Sequence, residues 1–543
     1  MSTDTMSVRG AAADASTRGG GFGPLLRSEW TKFRTVRGWV IGMIVAGVLT
    51  VFVGLFAAGN SNIGCQSANG APRTGRACLP YIPHGPGGEV VTDSFNFAHQ
   101  TLTGDGTITA RVTSFTGEHA NLNGQPVRAG SGPDMQPGLM PWSKAGLIIK
   151  QSLHQGSAYA AMMVTGRNGV RMQSNYTSDT AGLPGMVSAA HPRWLRLTRS
   201  GDTITGYDSA DGTHWTEVGT ARLAGLPATV QAGMFATSPN YVFTSRSFGG
   251  NSNQGGPSQA TGVFDDVRVT GTSAGGTWAD AAVGGGGPAG PAARGRAAGF
   301  TGAGGTYTLT GSGDIAPEVP GPAGTLPTAT VEQSLAGVFI GLIAIVVVAA
   351  MFFTAEYRRG LIRTTLAATP RRGQVLAAKA IVAGAAAFAL GLVAAVVAIG
   401  VGVPMESSKG QVVLPVSGLT EVRVVAGTAA LLAVAAVFAV ALGAALRRSA
   451  AAITLAVVTV AMPFLLTALN VFPAGVGAWL LRLTPAAGLA IQQSIPRYPQ
   501  VTTVYSPAGG YYPLPPFAGL AVLCAWAAAA LALAYVLLRR RDA

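Results

Sequence analysis

The sequence predicts a polytopic α-helical membrane protein of about six spans, with a large all-β sandwich of jelly-roll type inserted after the first span. Three observations lead there. Apolar runs of about 20 residues recur along the 543-residue chain, each long enough to cross a hydrocarbon core of about 30 Å. Between the first and second of these runs, residues 89–271 alternate apolar and polar side chains in short segments punctuated by Gly, Asp and Asn, the pattern of half-buried strands. Finally, charged residues make up only 11% of the chain, against about 25% in soluble domains.

The net charge of +14 has a location. Residues 60–333 hold 16 basic and 16 acidic residues and are neutral; the remainder holds 21 basic and 7 acidic. The excess sits beside the apolar runs, in residues 1–37 and 355–379, at Arg447–Arg448 and at Arg539–Arg541. Lys and Arg resist translocation. The clusters therefore predict a multi-pass protein of the cell membrane with both termini cytoplasmic and residues 59–332 extracellular. A nucleic-acid binder would carry its basic face on a folded domain, so no nucleic acid is expected as a partner.

In chain order, residues 1–23 are small, polar and Gly-rich, the composition of a disordered tail. Leu26, Trp30 and Phe33 follow at i, i+4 and i+7, with Arg27, Glu29, Lys32 and Arg34 on the other side. This reads as an amphipathic helix lying against membrane lipid. Val40–Ala58 is the first span, giving a membrane unit over 24–58; a cleaved signal peptide is the rival reading, opposed by the long leader. In the linker 59–88, Cys65 and Cys78 would face an oxidising space, where a disulfide between them forms readily. Cys524 falls inside a later apolar run.

Segments such as TITARVTSF, AGLIIKQS and RWLRLTRSG supply strands over 89–271, and Ser200-Gly201-Asp202 and Asp211-Gly212 supply turns. Trp194 and Trp215 are expected in the sandwich core. Residues 272–332 form a Gly/Ala/Pro-rich tether, flexible by composition, with one strand-like piece, GGTYTLTGSGDIAP. Residues 333–543 hold the remaining spans, near 335–354, 376–403, 424–446, 450–472 and 516–538. Between the last two, residues 473–515 read as an outer segment, re-entrant or interfacial.

The chemistry is sparse. No Gly-Lys dipeptide occurs among the five lysines, so the chain has no P-loop and needs no ATP site of its own. The six histidines show no metal-ligand spacing, so neither a metal nor a bound cofactor is expected. Asp265–Asp266 is the adjacent acidic pair, and neighbours on a strand point to opposite faces, so no catalytic residue is assigned. Lys379 lies near the cytoplasmic end of a span and is expected to snorkel; Arg423 lies at an outer end. Midspan positions carry no charge, so the chain has neither a nucleotide site nor an ion-coupling group of its own.

Two resemblances follow from these residues. SKAGLIIKQS, HPRWLRLTRSGDTITGYDSADGTHWTEVG and FDDVRV look like the concanavalin A-like (laminin-G-like) jelly rolls of bacterial extracellular proteins, a family that includes binders of cell-envelope glycan. LLRSEWTKFRTVR and TAEYRRGLIRTTLAATPRRGQVLAAK resemble the ABC-2 type permeases of actinobacterial ABC exporters. That resemblance implies a permease paired with a second one, as a homodimer or heterodimer, and driven by an ABC ATP-binding subunit that carries ATP and Mg. It further implies a coupling loop for that subunit at Glu356, Arg358, Arg359, Gly360, Arg363, Pro370, Arg371 and Arg372, and an interface helix with Leu26, Trp30, Lys32, Phe33 and Arg34. The large external insert departs from the compact members of that family. A membrane-anchored carbohydrate-binding surface receptor without transport activity is the alternative.

Overall fold

The computed structural model describes residues 21–66, 72–79, 81–121, 134–247, 250–272, 276–284, 299–321, 326–358, 360, 371–469 and 471–540. Among the described residues, six helices are long and apolar enough to cross a membrane. A 14-residue helix, α1 (Phe22–Thr35), precedes the first span, α2 (Arg37–Gly59). The others are α3 (Val338–Arg358), α4 (Arg372–Ser408), α5 (Gly418–Leu446), α6 (Ser449–Ala468) and, after the short α7 (Ala474–Leu483), α8 (Pro516–Arg540). Successive spans alternate in direction. One end of the bundle, the basic end, thus gathers α1, the α3–α4 connector, Arg447–Arg448 and the end of α8; the opposite end carries the β domain.

A single 26-residue strand, Phe95–Ala120, organises that domain. Its first part pairs with Thr229–Thr237 on one side and Ala279–Val283 on the other. Its second part pairs with Arg193–Ser200 and Ser258–Thr272. The change falls at Thr-Gly-Asp-Gly: Gly104 has φ 69°, and a Cβ at Gly106 would come 2.5 Å from the Thr270 carbonyl oxygen. Only glycine meets both demands cheaply. One strand thereby belongs to both layers of a sandwich, as strands that turn a corner do.

Inward residues keep period two: Ile108, Ala110 and Val112 pack with Leu195, Leu197, Leu147 and Met162. Trp194 and Trp215 are instead half-buried on the outer face, under the guanidinium groups of Arg111 and Arg196 at 5.5 and 3.7 Å. Leu195 takes the inward place, and alternation forces Trp194 out. Asp265 and Asp266 both face Arg111, at 2.6 and 3.7 Å. The strand bulges between Asp265 and Arg268, with Asp266 at φ 49°, so simple alternation fails there.

The other layer is buried on both faces, which is why Lys144–Lys150 and Tyr159–Thr165 are apolar nearly throughout. Its second face packs Phe95, Phe97, Tyr159, Tyr176 and Phe235. Lys150 is wholly buried there, its ammonium 2.7 Å from the Asp93 carboxylate and 3.2 Å from the Tyr176 hydroxyl. Burial pushes Lys150 below its ordinary value while Asp93 opposes the shift.

Within the segment read as a tether, the strand-like piece GGTYTLTGSGDIAP joins this structure. Thr306–Gly311 pairs with Ser258–Thr272, Gly299–Ala303 extends it, and Ile315–Pro317 pairs with Val91–Asp93. Lys144 donates to the Asp314 carboxylate and the Ile315 carbonyl. Composition alone hid these partners, since they lie about 40–220 residues away along the chain.

The β domain is seated on the bundle. Thr328–Ala329 pairs in parallel with Val412–Val413, beyond the end of α4. Gln500 donates to the carbonyls of Tyr176 and Thr177, and Val90, Val412, Leu414, Ile495 and Tyr511 form a shared apolar cluster. A disulfide joins Cys65 to Cys78, with Cα atoms 5.6 Å apart, and Arg76 inside this loop donates to the Ser407 carbonyl at 3.1 Å. Alkylation of the unreduced, unfolded protein should therefore label Cys524 alone; full labelling of Cys65 and Cys78 would contradict the bridge.

Residues 473–515 dip into the bundle. Pro485–Gln492 is a 3-10 segment buried along its whole length, the condition under which non-α backbone is tolerated at membrane depth. Arg423 donates to the carbonyls of Ile491 and Gln493 at 2.9 and 2.7 Å, so its charge terminates this segment. Gly519 admits the close approach: a Cβ there would overlap the Ala487 carbonyl oxygen. Gly519→Val should lower the melting temperature measurably, by about 1–3 kcal/mol of stability as overpacking does. An unchanged melt would refute the contact.

Candidate functional site

Two carboxylates of the basic end converge on one ammonium group. α1 is helical with Leu26 and Phe33 toward the bundle, where Phe33 meets Phe352 of α3 edge-on at 5.3 Å. Four positions before Phe33, on the same face, Glu29 is wholly buried. Lys379 of α4 stands 2.7 Å from Glu29 and 2.7 Å from Glu356 of α3. Lys32 closes the group, 2.7 Å from Glu29 and 3.5 Å from Glu356. The Phe352 ring lies 4.6 Å from the Lys379 ammonium, a cation–π contact.

Lys379 is 1% exposed. It does not snorkel, because two carboxylates supplied by other helices lie nearer than the interface. Glu29 belongs to the buried side of α1 rather than its polar side, and Trp30, at 44% exposure, faces outward. Leu26 is half-buried and packs on the bundle core, and Arg34 is exposed. For Lys32, burial opposes the charge, but the hydrogen bond to Glu29 and the charges of Glu29 and Glu356 prevail, so its ammonium is held above the ordinary value. Sequence periodicity missed this cluster. The available signal was Lys379 itself, an ionisable residue inside an apolar run, which calls for a partner at membrane depth.

The same cluster anchors the α3–α4 connector. At its start, Glu356 is drawn inward and Tyr357 lies under Arg447 at 5.2 Å. Arg447 caps α5 at φ 57°. Arg358 ends α3, and Gly360 follows at φ 67°. At the far end Arg371 is exposed, and Arg372 donates to the Leu538 carbonyl of α8 at 2.6 Å. Arg359, Arg363 and Pro370 lie outside the described residues. A displacement of the connector would thus pull on α1, α4 and α8 together. Among the described residues no cluster of His, Cys, Asp and Glu could hold a metal ion.

The model of the ABC-2 family transporter proteins matches residues 156–543, well over half of the chain. The chain belongs to the ABC-2 transporter family. This ABC-2 protein is accordingly a transport component, a multi-pass permease of an ABC-type transporter, and the bundle is its membrane part. No curated protein matches. Three solved structures give faint likenesses. One is a functionally unknown protein from Saccharomyces cerevisiae, at 12% identity and TM-score 0.21, over 39% of this chain and 87% of that one. A scytalido-glutamic peptidase with a peptide-based transition state analog gives 8% and 0.21, over 40% and 98%. The GH43 protein BlXynB from Bacillus licheniformis gives 15% and 0.15, over 24% of each chain. Likenesses this low carry no argument about the ABC-2 chain.

Proposed function

We propose that this permease belongs to an exporter, with its basic end in the cytoplasm and residues 59–332 outside the cell. A separate ABC ATP-binding subunit, carrying ATP and Mg, docks on the connector from Arg358 to Arg372, and two permeases, identical or not, form the transport unit. The observation that carries the reading is the anchoring of both connector ends to three other helices. A loop so held gives a partner's motion a path into the bundle, and the chain has no P-loop with which to drive itself. Arg359, Gly360, Arg363, Pro370 and Arg371 form the docking surface, while Glu356 faces the internal cluster and positions it.

The outer β domain, seated on the end of α4 and on residues 495–511, receives cargo at the exit or holds the transporter against cell-envelope glycan. Its attachment to the bundle at several points favours a role in transport over that of a free-standing receptor.

The test is co-purification of an ATPase encoded beside this chain. Arg363→Glu with Arg371→Glu should reduce recovery of that ATPase at least tenfold while the permease retains its melting temperature. Undiminished recovery would remove the docking assignment, and finding no ATPase partner at all would remove the exporter.

A further inference from the structure

A groove of about 710 Å³ opens on the lipid-facing side of α4, α5 and α8 in the half of the bundle nearest the basic end. Its floor follows α4 through Gly373, Ala377, Gly384 and Phe388, and Val437 and Tyr535 contribute to the walls. From Gly373 to Phe388 the helix rises about 22 Å, roughly the depth of one leaflet with its interface. The walls are almost wholly apolar. Polarity is confined to one end. There Tyr535 closes on Gly373, so that a Cβ on the glycine would lie 2.7 Å from the ring. The Arg539 guanidinium stacks over Tyr535 at 4.8 Å, and Arg371, Arg539 and Arg540 are all exposed.

We propose that this groove is a binding site for an anionic phospholipid, with one acyl chain along α4 and the headgroup phosphate between Arg539 and Arg540. The occupant must be apolar over its length and negative at a single end, which is the chemistry of a membrane lipid of net negative charge. A second permease fits worse. Two copies related by a two-fold axis across one membrane have their basic ends on the same side, and packing at the groove would bring these arginines toward their counterparts. Each arginine near an anionic headgroup favours its binding by about fivefold.

The experiment uses the full-length protein in nanodiscs with phosphatidylglycerol or phosphatidylcholine carrying a photoactivatable acyl chain, and maps the cross-links by mass spectrometry. Phosphatidylglycerol should label residues 373–388 and 531–535 at least about fivefold more than phosphatidylcholine. Unlabelled phosphatidylglycerol should compete. Arg539→Gln with Arg540→Gln should bring labelling down to the phosphatidylcholine level, and Ala377→Trp with Ala532→Trp, which fills the groove, should abolish it for either lipid. Melting curves confirm that each variant is folded, and any that is not is replaced by Arg539→Gln alone or Ala385→Trp. Equal labelling of the two lipids in the wild type would overturn the proposal. So would disulfide-linked dimers of Ala385→Cys in place of lipid labelling, which would make the groove an interface between copies.

Discussion

Lys379→Met should destabilise this permease by about 3–5 kcal/mol, the usual effect of removing one partner from a buried ion pair. Glu29 is wholly buried, and the Glu356 side chain is 12% exposed. Without Lys379, the partly exposed Lys32 still stands beside them. The prediction separates a structural joint from a surface charge, because loss of an exposed ion pair would change stability by less than about 1 kcal/mol. A second variant removes the ambiguity of simple misfolding. Replacing all three ions together, as Glu29→Gln, Lys379→Met and Glu356→Gln, leaves no buried charge unpaired and should recover most of the stability. Both are read from thermal unfolding of detergent-solubilised protein. If Lys379→Met melts with the wild type, or if the triple variant is less stable than the single one, the buried cluster is not what joins α1, α3 and α4.

The spans were legible because an apolar run of about 20 residues with almost no charge suits a bilayer core far better than a water-facing surface. The sandwich was legible because period two persists through Ile108, Ala110, Val112 and their partners. Contacts that no local pattern encodes were not legible. Glu29 sits among polar neighbours in sequence, and only packing of α1 against α3 and α4 shows that its face of the helix is buried. The strand-like piece GGTYTLTGSGDIAP was legible within the Gly-rich segment, but its partners were not, because the strands it pairs with lie far away in the chain. For Trp194, strand register overrides hydrophobicity: Leu195 points inward, so its neighbour cannot. At the basic end, the charge of the connector was apparent from sequence. The inward turn of Glu356 was not, because its nearest cations, Lys379 and Lys32, come from helices on either side of α3 in the chain.

One contact between spans had a sequence signal that periodicity passed over. Gly337, just before α3, and Gly341, in its first turn, are spaced as Gly-x-x-x-Gly, a pattern that lets helix backbones approach closely in a membrane. They meet Thr50 of α2, whose hydroxyl donates to the Ala46 carbonyl at 2.8 Å. A Cβ at Gly337 would overlap the Thr50 carbonyl oxygen, and a Cβ at Gly341 would overlap the Thr50 hydroxyl. The two obstacles differ in kind, since one is main chain and the other a side chain that can be removed. Gly337→Ala and Gly341→Ala should each lower stability by about 1–3 kcal/mol, as overpacking does. Thr50→Ala should then restore Gly341→Ala, because the remaining methyl would stand 3.1 Å from the new Cβ, a gap that small shifts can relieve. It should not restore Gly337→Ala, where the main-chain oxygen stays in place. Thermal melts of the two double variants decide the matter: rescue of both, or of neither, would show that the α2–α3 seam is not set by Thr50.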